Sequence, residues 1–403
     1  MRTIQLDLLF TILSALLVFF TGRALTARSA FLKRFSIPAP VVGGVLVAIL
    51  LALADGLGGV RISFDMSLRD NLLLMFFTTV GLSADARMLL KGGPKLMTFL
   101  VVSIAFIAIQ NLVGLGAAFA MDLHPVVGLL GGSVTLTGGH GTGAAYGARF
   151  GDTMNIAGAM ELTMACATSG LVLGSLLGGP IAQFLVKRYK LSAAPIAAAT
   201  LDADEGAGSD EVTVQSMMTT LFLILACLAG GKTIARAVQG TGFILPDFLF
   251  CLLLGVAIRN GATMFKTSPV SAATVDLVGG VSLSMFLVMA LMGMRLIDLA
   301  SLAGPLLVIL GLQTVVMAAY AIFVTFRVMG RDYDAAVLAA GHVGFALSST
   351  AAALAIMKTI TDRGGPSPLA FLIVPMVGAF FIDIANALLI QGYLALPLFG
   401  FPS

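Results

Sequence analysis

Residues 125–150 read Pro-Val-Val-Gly-Leu-Leu-Gly-Gly-Ser-Val-Thr-Leu-Thr-Gly-Gly-His-Gly-Thr-Gly-Ala-Ala-Tyr-Gly-Ala-Arg-Phe. The stretch is broken near its middle by Thr137-Gly138-Gly139-His140-Gly141-Thr142-Gly143. In hydrocarbon each backbone N–H and C=O must be satisfied within its own segment, so a continuous span facing lipid cannot hold such a run. A re-entrant hairpin buried in protein can. A second stretch, 332–360, is broken in the same manner at Ala340-Gly341-His342-Val343-Gly344. These two breaks define a fold only if the rest of the chain lies in lipid.

Composition places it there. Of the 403 residues, 59% are hydrophobic and 11% charged, and the mean hydropathy is +1.04. A soluble domain carries about 25% charged residues, so this chain cannot cover a soluble surface. A net charge of +3 leaves no field to hold nucleic acid. Cys166, Cys227 and Cys251 all lie in apolar stretches and imply neither a metal site nor a disulfide framework. A bilayer-spanning helix needs about 20 apolar residues. Ten segments meet that test: 5–22, 37–54, 70–88, 96–120, 159–187, 213–238, 244–260, 272–296, 303–328 and 368–396. No small-x-small cleavage site follows the first, which reads as a span rather than a leader.

The order of these pieces repeats. Residues 1–190 give four spans, a broken hairpin at about 125–150 and a fifth span. Residues 213–403 give the same order, with the hairpin at about 332–360. Between them, 191–212 is polar and acidic, with Asp202, Asp204, Glu205, Asp210 and Glu211, and reads as a solvated connector. Local matches support the repeat: Pro40 with Pro246, Gly81 with Gly293, Gln110 with Gln313, Gly139-His140 with Gly341-His342, and Gly170 with Gly378. Five spans per half is odd, so the second half is inverted, a common transporter arrangement. With the N-terminus outside, sixteen of the 23 lysines and arginines fall in inside loops. The positive-inside bias thus places both termini outside and the connector in the cytoplasm. The fold class is therefore all-α and polytopic: about ten transmembrane helices and two oppositely directed re-entrant hairpins in two inverted-topology repeats.

Such hairpins supply chemistry at their tips. A half-helix N-terminus presents unpaired N–H groups and about half a positive charge, suited to a carboxylate, and a C-terminus presents carbonyls, suited to sodium. Candidate substrate contacts are Thr135, Thr137, Gly138, Gly139, His140, Gly141 and Thr142 at the first break, and Gly341, His342 and Gly344 at the second. Candidate sodium ligands are carbonyls at Gly139 and Gly341 with the oxygens of Ser348, Ser349 and Thr350. Asp383, central in the last span, serves either ligand, because a charge there costs about 2.5–3.5 kcal/mol unless it faces a cavity or cation. Asn386, three positions on, and Glu161, opening the fifth span, are further candidate sodium ligands. The commoner role for the two histidines is a buried neutral ring holding a hairpin by hydrogen bonds. The glycine run is not a phosphate loop, since no strand precedes it and no lysine follows.

These residues carry a resemblance. Leu136-Thr-Gly-Gly-His-Gly-Thr-Gly-Ala-Ala145, Ala335-Ala-Val-Leu-Ala-Ala-Gly-His342 and Val374-Pro-Met-Val-Gly-Ala-Phe-Phe-Ile-Asp-Ile384 are similar to the two re-entrant segments and last helix of bacterial sodium–glutamate symporters. Ile37-Pro38-Ala39-Pro40-Val41 and Phe64-Asp-Met-Ser-Leu-Arg-Asp70 extend it along the chain. The resemblance implies sodium-driven uptake of L-glutamate by a homodimer in the bacterial inner membrane. It implies sodium as coupling ion, no organic cofactor and no enzymatic activity. Related folds move a substrate domain as an elevator, and the same is expected here. One departure stands out. Thr350-Ala351-Ala352 and Ile356 occupy positions where the family pattern has Thr-Pro-Thr and an asparagine.

Two other classes remain open at this stage. A sodium-coupled carrier of another di- or tricarboxylate would commonly add an intramembrane arginine, and no arginine sits deep in any of the ten spans. An intramembrane enzyme built on His140, His342 and Asp383 lacks any supporting motif.

Overall fold

The computed structural model describes residues 2–34, 37–58, 60–85, 93–154, 156, 158–193, 211–238, 247–264, 271–293 and 303–399. The chain begins with a short strand, β1 (Arg2–Leu6), followed by α1 (Leu8–Arg28), α2 (Ala30–Arg34) and α3 (Ala39–Gly58). A second strand, β2 (Val60–Phe64), pairs with β1 in parallel, Arg2 opposite Val60 and Leu6 opposite Phe64. Parallel strands need a crossover, and here α1 to α3 supply it. The ribbon is a correction to the purely helical expectation, which began the first span at residue 5. Asp7 ends the strand and caps α1, accepting the Phe10 N–H at 2.9 Å. Thr11 pins β2, its Oγ1 accepting the Asp65 N–H at 3.1 Å.

Then come α4 (Arg69–Ser83), α5 (Gly93–Ala120), the short α6 (Pro125–Leu130), α7 (Gly139–Met154) and α8 (Ala159–Tyr189). The second half holds α9 (Val214–Val238), α10 (Asp247–Met264), α11 (Ala272–Met292) and α12 (Ala303–Tyr320). A π turn, Ala321–Thr325, prolongs α12. There follow α13 (Tyr333–Leu347), α14 (Thr350–Gly364), α15 (Pro368–Met376), a second π turn at Val377–Phe381, and α16 (Ile382–Leu394). Pro375 sits inside α15 and can donate no N–H, and the wider π turn begins two residues later.

Among the described residues, six helices are long and apolar enough to cross a membrane: α1, α5, α8, α9, α11 and the stretch Gly304–Val328. At the other four expected spans lie α3, α4, α10 and the pair α15 and α16 with the π turn between them. Expected spans 70–88, 244–260 and 272–296 run partly into 86–88, 244–246 and 294–296, outside the described residues, where connector residues 194–210 also lie. Outward-facing positions are apolar, with Leu9 74%, Phe222 68% and Leu307 72% exposed. That is a surface made for hydrocarbon rather than water.

The helices sort into two bundles. The first contains α1, α3, α4, α9, α10 and α11, and the second contains α5–α8 and α12–α16. The bundles meet chiefly where α7 lies on α11 and where the second π turn touches α4. Glycines set the close crossings within the first bundle. A Cβ at Gly22 would strike the Ala39 carbonyl of α3, and one at Gly81 would strike the Leu252 carbonyl of α10.

The first break lies earlier than the sequence indicates: residues 131–138 form a chain of turns between α6 and α7, and of Thr137–Gly143 only the first two residues fall in it, the rest opening α7. The second lies later. Ala340–Gly344 lies inside the continuous helix α13, and the break falls at Ser348-Ser349. Gly341 and Gly344 are packing glycines. A Cβ at Gly344 would fall on the Ala353 Cα of α14, and one at Gly341 would lie 2.7 Å from the Met357 sulfur and from Val374. They draw the two arms of the hairpin and α15 together, so Gly139-His140 and Gly341-His342 do not occupy equivalent places.

Candidate functional site

Gly139 opens α7 with φ +64°, a conformation that costs any residue with a Cβ. The turn before it is buried, so its polar groups need partners. The Gly138 N–H bonds the Ser133 carbonyl at 2.9 Å. The Thr137 hydroxyl donates to Gln110 Oε1 at 2.7 Å, and Gln110 Nε2 donates to the Ala346 carbonyl of α13 at 3.0 Å. Gln313, on α12, donates to the Gln110 carbonyl at 2.7 Å. Thus the Gln110 carboxamide, in the middle of an apolar helix, ties the two hairpin tips together, and Gln313 holds the Gln110 backbone.

At the second tip Ser349 caps α14, accepting the Ala352 N–H at 3.2 Å. Both tips open on one cavity of about 490 Å³, lined by Thr137, Gly138, Gly139, His140 and Gly141 from the first and Ser348, Ser349, Thr350 and Ala351 from the second. Asp383, at the start of α16, lines it too. The remaining wall includes Pro38, Phe76 and Leu283 from the first bundle, so the cavity lies between the bundles. Among the described residues, no lysine or arginine lines it. Arg149, partly buried on α7, does not reach it.

The first N–H groups of a helix have no intrahelical partner. Those of Gly139, His140 and Gly141 on α7, and of Thr350 and Ala351 on α14, belong to residues that line this cavity. Two helix N-termini therefore face one space, each with about half a positive charge. Asp383 makes no hydrogen bond or ion pair among the described residues, which leaves its carboxylate for whatever enters the cavity.

The other sequence candidates lie elsewhere. The Thr135 hydroxyl donates to the Leu130 carbonyl at 2.6 Å, and Thr142 is buried in α7. His140 combines both roles, lining the cavity while its Nε2 is 3.1 Å from the Thr168 hydroxyl of α8. His342 is fully buried, with Nδ1 2.9 Å from the Thr325 hydroxyl of the first π turn. Its ring is packed by Phe99, Phe106, Tyr320 and Phe345 at centroid distances of 5.1–5.9 Å. Neither it nor Gly341 nor Gly344 lines the cavity, which corrects their placement at the second tip. Glu161 is buried in the first turn of α8, after Gly158 in the left-handed region, and lies outside the cavity lining. Asn386 is separated from Asp383: its Nδ2 donates to the Ser133 carbonyl at 3.0 Å, behind the first tip.

Ser133, Asn111 and the tip-bridging role of Gln110 escaped the sequence reading. The one available signal was Gln110-Asn111, two adjacent carboxamides within an otherwise apolar span. Of the departures from the family pattern, only Ala351 faces the cavity. Ile356 packs on α8, where a Cβ at Gly178 would lie 2.9 Å from it.

The family model described as sodium/glutamate symporter matches residues 4–366. The chain belongs to the sodium/glutamate symporter family. It is 49% identical over 402 residues to the sodium/glutamate symporter of Escherichia coli (strain K12), covering 98% of this chain and 99% of that one. It is equally similar to the protein of that name from Shigella flexneri. The Haemophilus influenzae protein of the same name is 46% identical over 385 residues, covering 94% of this chain and 95% of that one. The six long apolar helices among the described residues fit a multi-pass membrane protein.

Proposed function

We propose that this chain is a sodium-coupled symporter that carries L-glutamate into the cytoplasm across the bacterial inner membrane. One observation carries the reading: two helix N-termini and one unpaired carboxylate converge on a single cavity. Glutamate has two carboxylates and one ammonium. One carboxylate meets the N–H groups of Gly139–Gly141, the other those of Thr350 and Ala351, and the ammonium meets Asp383. The Ser348 hydroxyl, buried without a partner, adds a polar contact from the second tip. The same count argues against a carrier of acids lacking an amine, since Asp383 would then face an anion with no lysine or arginine of the described residues lining the cavity. The cavity's position favours alternating access over chemistry, in keeping with a protein that is not an enzyme.

The finer architecture belongs to the same proposal. It comprises about ten spans, two re-entrant hairpins (α6/α7 and α13/α14), and inverted repeats 1–190 and 213–403 about the connector 191–212, with both termini outside. Helix packing supports the repeat. Contacts come in matched pairs: α1 with α3 and α9 with α10; α4 with α10 and α11 with α3; α5 with α6 and α12 with α13. The first three spans of each half supply the first bundle, and the rest supply the second. We assign the first bundle as the static scaffold and the second as the moving substrate domain of an elevator. The homodimer is carried over from the family resemblance.

The deciding experiment is uptake of labelled L-glutamate into proteoliposomes, with and without an inward sodium gradient and with a protonophore present. Uptake that requires sodium and survives the protonophore is expected. Uptake indifferent to sodium, or none by folded protein, would overturn the proposal.

A further inference from the structure

Behind the first tip, away from the cavity wall, lies a cluster of fully buried neutral side chains: Asn111 on α5, Ser133 in the turn and Asn386 on α16. Their bonds to one another are fixed. The Ser133 N–H donates to Asn111 Oδ1 at 3.0 Å, and Asn386 Nδ2 donates to the Ser133 carbonyl at 3.0 Å. Those two bonds set which way each carboxamide faces, because either flip would place oxygen against oxygen or N–H against N–H. Yet Ser133 Oγ and Asn386 Oδ1 have no partner, and neither does Asn111 Nδ2. Buried polar atoms are seldom left so, and each such group calls for a ligand. The unpaired Asn386 oxygen is bonded to the same carbon as the nitrogen that touches residue 133.

We infer that Ser133 Oγ and Asn386 Oδ1, assisted by the turn's backbone carbonyls, bind a coupling sodium ion. This rests on the sodium-coupled reading above and places one ion in a site separate from the glutamate cavity. Hydroxyl, carboxamide and main-chain oxygens in an unwound segment suit a hard monovalent cation. Asn111 takes no part in the ion's shell; it orients Ser133, and its unpaired Nδ2 is a donor. The shell contains no carboxylate, so the ion's charge has no local counter-charge. Glutamate carries a net charge of −1 at neutral pH, and its cavity begins at Gly138, whose N–H bonds the Ser133 carbonyl. An ion on Ser133 therefore steadies the turn that aims the α7 N–H groups and attracts the anion they hold. Each ligand favours the other, which is the linkage that symport requires.

The test uses purified full-length protein with Ser133→Ala and Asn386→Asp. Ser133→Ala removes one oxygen, and the half-saturating sodium concentration for uptake should rise on the order of tenfold. The KM for glutamate at saturating sodium should move far less. Asn386→Asp supplies the missing counter-charge but sets a carboxylate oxygen against the Ser133 carbonyl that Asn386 Nδ2 now holds; a sodium ion between those oxygens offsets the repulsion, so sodium should tighten while glutamate weakens. Opposite shifts of sodium dependence in the two variants are not expected of a purely structural role. A second readout needs no transport: the rise in unfolding midpoint on replacing choline by sodium, without glutamate. That rise should shrink in Ser133→Ala and grow in Asn386→Asp. If Ser133→Ala does not fold, Asn386→Asp decides alone. Unchanged sodium responses would mean that these atoms hold only a buried water, and the inference falls. Wild-type uptake indifferent to sodium would instead overturn the proposed function, and the thermal shift would still report whether sodium binds here.

Discussion

Replacing Gly139 by alanine isolates the backbone geometry at the start of α7. The residue has φ +64°, and the nearest heavy atom to an added Cβ is the Ser348 carbonyl oxygen at 3.7 Å. That is ordinary contact, so crowding contributes nothing and the conformation contributes everything. Holding an L-residue in the left-handed region costs roughly 1–2 kcal/mol. The protein can meet that cost in two ways. If residue 139 keeps its conformation, the fold loses that much stability. If it relaxes, the N–H groups of Gly139, His140 and Gly141 turn from the cavity and glutamate binding weakens by about 5–30-fold, since each 1.4 kcal/mol is tenfold. Calorimetric titration of glutamate at saturating sodium, with a thermal unfolding scan, measures both. Gly139→Asn should recover part of the loss, because asparagine tolerates this conformation better than alanine. Wild-type affinity together with wild-type unfolding in Gly139→Ala would refute the reasoning, since the strain would then appear nowhere.

Two further variants separate binding from packing. Asp383→Asn leaves the substrate ammonium facing a neutral amide, and losing one partner of a buried charge pair costs about 3–5 kcal/mol. Glutamate affinity should fall by more than about 100-fold while the protein stays folded; unchanged coupled uptake would remove Asp383 from the site. Gly344→Ala places a Cβ on the Ala353 Cα of α14, a backbone atom that cannot step aside. Overpacking of that kind costs about 1–3 kcal/mol, so the unfolding midpoint should drop while glutamate KM in the folded fraction stays near wild type. A selective KM change at wild-type stability would return Gly344 to the binding site.

The contrast between the two hairpins shows what sequence can convey here. At the first, the glycine run Thr137–Gly143 points to the break but lies at its C-terminal edge: the turns occupy 131–138, and Gly139 with its positive φ opens α7. At the second, the same cue misleads. Glycine in a membrane helix serves two ends, chain reversal and close approach, and Gly341 and Gly344 serve the second. The true break, Ser348-Ser349, contains no glycine at all; it is made by a serine whose side chain caps α14. Asp383 was legible because an isolated charge in an apolar span is costly, and the cost implies a cavity. Ser133 was not, since one serine in a glycine-rich turn carries no such penalty until its neighbours are known. The β1/β2 ribbon was missed although Val60-Arg61-Ile62-Ser63-Phe64 alternates apolar and polar residues, because its partner lies 58 positions away, beside the first span (Arg2 opposite Val60).

The bonds around Gln110 bear on how such a site could move. Gln110 holds the Ala346 carbonyl next to the second tip, accepts the Thr137 hydroxyl of the first, and offers its own carbonyl to Gln313. Opening either hairpin alone would strand one of these polar groups in an apolar interior, at about 1–3 kcal/mol each. Sliding the second bundle as one body breaks none of them. Arg149 of α7 interacts electrostatically with Asp247 of α10 across the surface it would slide on, and the packing beside it is apolar: the Tyr146 ring lies edge-on to Phe248 of α10 at 5.6 Å, and a Cβ at Gly141 would lie 2.8 Å from the Phe76 ring of α4. Contacts of that kind have no direction and can be exchanged for similar ones along a face, whereas the hydrogen bonds within the bundle cannot. The distribution of polar bonds thus favours rigid-body travel over local gating, with both hairpin tips and the ligands between them carried together.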